Sequence, residues 1–250
     1  MVRIFKYKAS KLHRAQITDF SFLYLCRDQN FKIKNMEPIK VNFKDCDRIF
    51  LDDTFKLKQF RNLALLDIWQ KSKENCIINE HEDYLLKAIQ EMLIDRVDDW
   101  NEQELIENFI GPMFSLINFN TLKYGLFSER LLKAIIDDYE LSGYPDAIVA
   151  KGRRKPEIPY FCFHEYKKEN DTKDDPAGQC LVAMLVAQEL NHNEIPLYGV
   201  YVVGKHWYFM VLQGKEYAIS KSYQAIDEDI YDIVKLLKHL KTIIEEYVKQ

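Results

Sequence analysis

YPDAIVAKGRRKPEIPYFCFHEYK, residues 144–167, is the stretch that decides how this chain is read. Gly143, Tyr144 and Pro145 form a turn, and residues 146–150 after it read as a short strand. KGRRKPEIP is a polar connection punctuated by prolines. Tyr160, Phe161, Cys162, Phe163 and His164 then make a continuous apolar and aromatic run, the pattern of a strand buried on both faces. Together the two runs predict a β-hairpin. Residues two apart in a strand share a face, so Glu165 and Lys167 project together while His164 and Tyr166 point the other way.

Outward from the hairpin, Asn101 followed by Glu104 has the form of a capping box and opens a helix over residues 102–119. Leu105, Ile106, Phe109, Ile110, Met113 and Phe114 suit one face of it, and Pro112 is expected to kink or end it. A mixed segment with Leu131, Ile135 and Ile136 leads into the turn. On the far side, a polar loop gives way to Asp175 and Pro176, an N-cap and first-turn pair that starts a helix through Leu190. Residues 197–203, 205–212 and 216–220 are strand candidates separated by Gly204 and Gly214, and residues 226–248 have helical period. The order predicts an α/β fold, a mixed central sheet flanked by helices, over residues 98–250 with the last helix included. Helical spacing also runs over residues 63–69 and 82–97, while neither period holds for long in the first 60 residues. Residues 1–97 therefore read as a mainly helical N-terminal extension of unassigned role.

At 47% hydrophobic and 30% charged residues the chain falls among globular rather than disordered or fibrous proteins. The five cysteines are widely spread and form no CxxC pair, which argues against structural zinc and a disulfide scaffold. The N-terminus lacks the apolar stretch of a secretory signal, and nothing approaches the roughly 20 apolar residues of a membrane span, so a cytoplasmic protein without a membrane partner is expected. A net charge of −4 argues against simple coating of nucleic acid, although basic residues cluster locally at Lys151, Arg153, Arg154, Lys155, Lys167 and Lys168. GxxxxGK[ST], GxGxxG and HExxH are all absent.

A carboxylate and an ammonium at the end of an apolar strand can jointly hold a divalent metal and a water if a second carboxylate comes from the neighbouring strand. Asp146, right after Pro145, is the candidate. Hard cations such as Mg²⁺ take oxygen ligands, commonly one or two carboxylates plus substrate phosphate. Asp146 and Glu165 meet that demand as metal ligands, and Lys167 would orient a water or offset charge growing on a phosphate.

Pro145-Asp146, a gap of one hairpin connection, and Glu165-Tyr166-Lys167 resemble the PD-(D/E)xK nuclease superfamily over roughly residues 101–220. The resemblance implies a restriction-endonuclease-like core and a Mg²⁺- or Mn²⁺-dependent enzyme that hydrolyses phosphodiester bonds of nucleic acid, with DNA the expected substrate. It also implies a helix acid, for which Glu102 is the match and Glu104 or Glu107 the alternatives. Gln179 is similar to a glutamine that some branches place beside the site, as a substrate-binding or orienting residue. An acidic helix ending at a proline, then PD, then E-x-K looks most like the nuclease domains of restriction and repair systems, but no helicase or target-recognition segment accompanies it. On this reading Arg153 and Arg154, at the hairpin tip, contact backbone phosphate. A double-strand cut calls for two active sites, which makes a homodimer a working hypothesis.

Each residue also has a bland reading: Asp146 as a strand-opening turn residue, Glu165 and Lys167 as a cross-strand ion pair, Glu102 as a favourable charge in a helix first turn, Arg153 and Arg154 as a solvated loop. His164 reads as structural. The alternative function is a non-catalytic binding or interaction module that keeps the nuclease fold within a defence or mobile-element system. DNA against RNA, end against internal cutting and target preference are not encoded in the motif.

Overall fold

The computed structural model describes residues 37–170, 174–192 and 195–249. Strand β1 (Ile39–Asn42) leads to helix α1 (Arg48–Phe55), which begins where the Asp47 carboxylate accepts the Phe50 N–H at 2.7 Å and stops at Lys56, whose φ of 58° is left-handed. Strand β2 (Lys58–Phe60) and helix α2 (Ala64–Lys71) follow. Helix α3 (Glu80–Arg96) opens with a complete capping box between Asn79 and Glu82. A second box, Asn101 with Glu104, opens α4 (Glu102–Leu105), as the sequence predicts.

Pro112 does not end the helix that starts there. The chain passes through a π-helical turn, Ile106–Ile110, in which the Gly111 N–H donates to the Ile106 carbonyl, and continues as α5 (Gly111–Ile117) to Asn118, φ 53°. Proline lacks an N–H and crowds the carbonyl four residues back, and the wider turn ahead of it absorbs that misfit.

The mixed segment then resolves into three strands, β3 (Tyr124–Ser128), β4 (Leu132–Ile136) and β5 (Tyr139–Gly143), which the sequence reading did not separate. β6 (Ala147–Lys151) and β7 (Glu157–Lys167) form the expected hairpin, with an irregularity near Ala150. Helix α6 (Pro176–Leu190), strands β8 (Leu197–Val203), β9 (His206–Gln213) and β10 (Glu216–Ile219), and helix α7 (Asp229–Lys249) follow close to the predicted bounds, with a two-residue strand, β11 (Tyr223–Gln224), that was not predicted.

The main sheet runs in the order β2-β10-β9-β8-β7-β6-β3, with β11 beside β9; β7 and β8, like β10 and β2, are parallel and the other pairs antiparallel. A separate three-stranded sheet has the order β1-β5-β4. One face of the main sheet, through Val149, Cys162, Val200 and Phe209, packs on α2, α3, the 102–117 helix and α7. The other face, through Ile148, Phe163, Met210 and Leu212, packs on α6. Helix α6 is buried from Ala177 to Gln188 because the small sheet, through Leu132, Ile136 and Leu141, covers its far side. It is apolar all round, as a helix between two sheets must be.

Two close approaches fix the ends of the elements that matter for the site. Gly204, at φ +53°, turns β8 into β9 and donates its N–H to the Lys167 carbonyl at 2.8 Å, while a Cβ there would lie 1.9 Å from a Glu169 carboxylate oxygen. Gly178 lets the start of α6 lie on the backbone of residues 46–48; a Cβ would sit 2.6 Å from the Cys46 carbonyl oxygen. Asp175 does not cap α6 with its side chain, contrary to the sequence reading. Its carboxylate instead accepts from both the backbone N–H and the Nε of Arg48, each at 3.0 Å.

Pro38–Gln250 is one compact unit, so the boundary expected at residues 97–98 falls inside it. Upstream of that boundary, β1 pairs with β5 and β2 with β10, and α1 packs in the core with α6. Periodicity could show the helices of this region but not that its short strands complete sheets built mostly from later residues. The first 36 residues of the expected extension lie outside the described residues. Among those described, no helix is long and apolar enough to cross a membrane, and Cys46, Cys76, Cys162 and Cys180 are free thiols.

Candidate functional site

Pairing between β6 and β7 ends at Ala147 opposite His164, so on that side the last three residues of β7 have no strand partner. The side chain of Asp146 takes over there: one carboxylate oxygen accepts the Tyr166 N–H at 2.6 Å. On the opposite side β7 stays paired with β8 through Lys167, which keeps the strand extended and holds Glu165 and Lys167 on one face. Lys167 Nζ is 2.7 Å from Glu165 Oε1 and 3.7 Å from Glu102 Oε2. Glu165 and Lys167, at 6% and 8% exposure, are the buried charged residues among those described, a rare placement for such groups unless they are paired.

Crowded acids in a dry site resist losing their protons. Burial, with smaller contributions from Glu102 and Glu129, outweighs the Tyr166 N–H and Lys167 and pushes the Asp146 carboxyl up to about 6. Burial and then the charge of Asp146 push Glu165 up to about 8 against the pull of Lys167. Burial acts to lower the Lys167 ammonium, but Glu165, Glu102 and Asp146 together raise it. The cluster thus holds more acid than its single cation neutralises.

Of the three helix acids, only Glu102 reaches Lys167. Glu104 is committed to the Asn101 N–H in the capping box, and Glu107 accepts from the Gln103 side chain at 2.8 Å. Gln179, near the start of α6, is buried and lines a concavity of about 300 Å³ with Glu165, Pro145 and Lys44; its Nε2 is buried without a hydrogen-bond partner among the described residues. A larger cleft of about 640 Å³ lies on the Asp146 side, bordered by Asp146, Glu129 and Tyr166. The Pro145–Asp146 step therefore divides two concavities with one member of the acid pair on each.

Arg153 and Arg154 are not brought to this place. They sit in the bend joining the far end of β6 to the start of β7, roughly 20 Å from Asp146 at about 3.3 Å per strand residue. A strand pair separates its turn from its open end, and the acids are at the open end. His164 is fully buried, edge-on to Phe114 at 4.9 Å, and burial drives its pKa down to about 3, so it is a neutral packing residue. Glu129 and Lys44 were missed by the sequence reading. Glu129 sits at φ 48° between β3 and β4, its N–H donating to the Asp146 carbonyl at 3.2 Å, and no local pattern marks it because its place depends on the β3–β6 pairing.

Asp146 and Glu165 are the carboxylates whose oxygens could hold a hard divalent cation. Among the described residues no group of three or more His, Cys, Asp or Glu side chains is arranged to hold a metal ion. A pair of carboxylates is within what Mg²⁺ takes from protein. The fold and the cluster define the class, an α/β protein with a buried acid–lysine group at the end of a central strand. No family model and no curated protein matches the chain.

Proposed function

We propose that this is a divalent-metal-dependent nuclease of PD-(D/E)xK type, with a restriction-endonuclease-like core, that hydrolyses phosphodiester bonds of nucleic acid, DNA being the favoured substrate. The observation that carries the reading is the convergence of Asp146, Glu165, Lys167 and Glu102 from two strands and a helix on one buried strand end. Two carboxylates that would shed their protons more readily beside a cation supply the donor chemistry for Mg²⁺ or Mn²⁺.

Such a cation, when bound by Asp146 and Glu165, supplies Lewis-acid polarisation of the phosphodiester and makes a nearby water more acidic. Lys167, released from its ion pair, directs its ammonium to the attacking water or to charge growing on the phosphate. Glu102 holds Lys167 from the helix side, and Gln179, which lines the concavity beside Glu165, orients the site on that side. The Tyr166 N–H keeps Asp146 oriented, so that one oxygen is fixed and the other is available.

The non-catalytic alternative draws on the net charge of −4 and on the closed Glu165–Lys167 pair. Wild type, Asp146→Ala and Lys167→Ala are compared on supercoiled plasmid, linear duplex, single-stranded DNA and RNA, with Mg²⁺, Mn²⁺ or EDTA. Metal-dependent cutting lost in both variants is the expected result. Absence of cutting on every substrate, together with calorimetry showing no Asp146-dependent metal binding, leaves the interaction module. A homodimer is part of the proposal for double-strand cutting, and light scattering that finds only monomer with and without DNA removes it.

A further inference from the structure

The 640 Å³ cleft beside Asp146 falls within the range of about 300–1,000 Å³ typical of small-ligand sites and is far too small to admit a duplex. Its walls are mixed. Ile106 and Ile110 come from the π-helical turn, a feature that costs stability and recurs at functional sites, and Phe114 and Tyr166 add aromatic surface. Among the described residues, the charged ones that line it are Asp146 and Glu129, and no Lys, Arg or His does. A phosphate would be repelled from this cleft, whereas a neutral group with apolar faces and hydrogen-bonding edges would be accepted.

The edges on offer are specific. The side-chain oxygens of Asn118 and Asn120 each accept a backbone N–H at 3.1 Å, from Asn120 and Leu126, so what these residues can present to a ligand is amide N–H. Glu129 is exposed and presents a pure acceptor. Guanine matches this set: its ring N–H and exocyclic amine are adjacent donors for one carboxylate, and its carbonyl accepts from an amide. Uracil and thymine offer a single ring N–H.

We propose that this cleft receives an unpaired nucleobase, guanine in preference, belonging to a nucleotide next to the phosphodiester held at Asp146. The substrate is accordingly a single strand or a locally unpaired duplex rather than intact duplex, because a base can enter only when it has left the stack. The placement of the phosphodiester rests on the nuclease reading above; the chemistry of the base pocket does not.

The full chain, without metal, is titrated with guanosine and with uridine by calorimetry and by amide NMR, alongside Glu129→Gln, whose fold is checked by thermal melting. Saturable guanosine binding that perturbs the amides of Asn118, Asn120 and Glu129 is expected. It should be at least about tenfold tighter than uridine binding, the order a bidentate base contact gives, and the preference should vanish in Glu129→Gln. No saturable guanosine binding, or equal binding by the variant, overturns the proposal. In parallel, single-stranded oligonucleotides with guanine or an abasic site at each position near the cut are tested with Mg²⁺. Asp146-dependent cutting that ignores the abasic site overturns the base pocket and leaves the nuclease reading standing. Guanosine binding lost in Glu129→Gln, with no nucleic acid cut, does the reverse.

Discussion

The carboxylate of Asp146 and the backbone N–H of Tyr166 are hydrogen-bonded at 2.6 Å across 20 residues of sequence. The bond lies just beyond the last paired residues of β6 and β7, where a side chain replaces the missing strand neighbour. It orients a catalytic candidate and satisfies a backbone donor that would otherwise be left over.

Asp146→Asn keeps an acceptor for that N–H, whereas Asp146→Ala removes it. The asparagine variant should melt close to wild type, the alanine variant should lose about 1–3 kcal/mol, the cost of an unsatisfied buried donor, and both should lose divalent-cation binding. Denaturant titration and calorimetry with Mg²⁺ check the pair. A destabilised asparagine variant would mean that the charge of Asp146, rather than its hydrogen bond, holds the strand end.

Glu165 and Asp146 should make stability without divalent cation fall as pH rises, against buried neutral His164, whose contribution is lost as pH drops below 6.5 towards about 3. In the unfolded chain Glu and Asp titrate near about 4.3 and 3.9, whereas in the fold Glu165 and Asp146 are pushed up to about 8 and about 6. Between these limits the native state binds more protons than the unfolded state, so their contribution is full below about pH 4 and is lost as pH climbs through 6 and then 8. Glu165→Gln should remove much of the slope, and Mg²⁺ should restore wild-type stability at pH 8 with release of protons. Thermal melts from pH 4.5 to 8.5 in EDTA and in Mg²⁺ read this directly; parallel slopes in wild type and Glu165→Gln would deny the buried acid its role.

Replacing Arg153 and Arg154 together by Ala should leave the turnover of a short oligonucleotide within about twofold. The bend lies roughly 20 Å from the acids, beyond the Debye length of about 8 Å at physiological salt. A loss of turnover at saturating substrate would show that the bend reaches the reacting phosphate.

Gly178→Ala should destabilise the fold by about 1–3 kcal/mol, because its Cβ would meet backbone at Cys46 and Asp47 rather than a side chain that can turn away. Urea unfolding measures the loss. A neutral result would mean that α6 is free to move off the 46–48 segment.

The hairpin and the acid–lysine pair were legible because both are local. Alternation places Glu165 and Lys167 on one face whatever the strand packs against, and the apolar run before them requires a buried strand. The Asn101–Glu104 capping box, α6 and strands β8 to β10 were legible for the same reason. β3, β4 and β5 were not: β4 alternates exposed and buried residues at the edge of a small separate sheet, and β5, its neighbour there, has its other partner, β1, about 100 residues upstream.

The sequence by itself determined which side chains could do chemistry, since the residue types and the two-residue spacing of a strand need no tertiary contact. Only the tertiary structure decided which of them meet. It selected Glu102 from three acids on one helix, because Glu104 and Glu107 are held elsewhere, and it placed Glu129 near Asp146 through the β3–β6 pairing. It also sent Arg153 and Arg154 to the far end of the same hairpin. Strand pairing sets distances between residues far apart in sequence, and no local pattern encodes them.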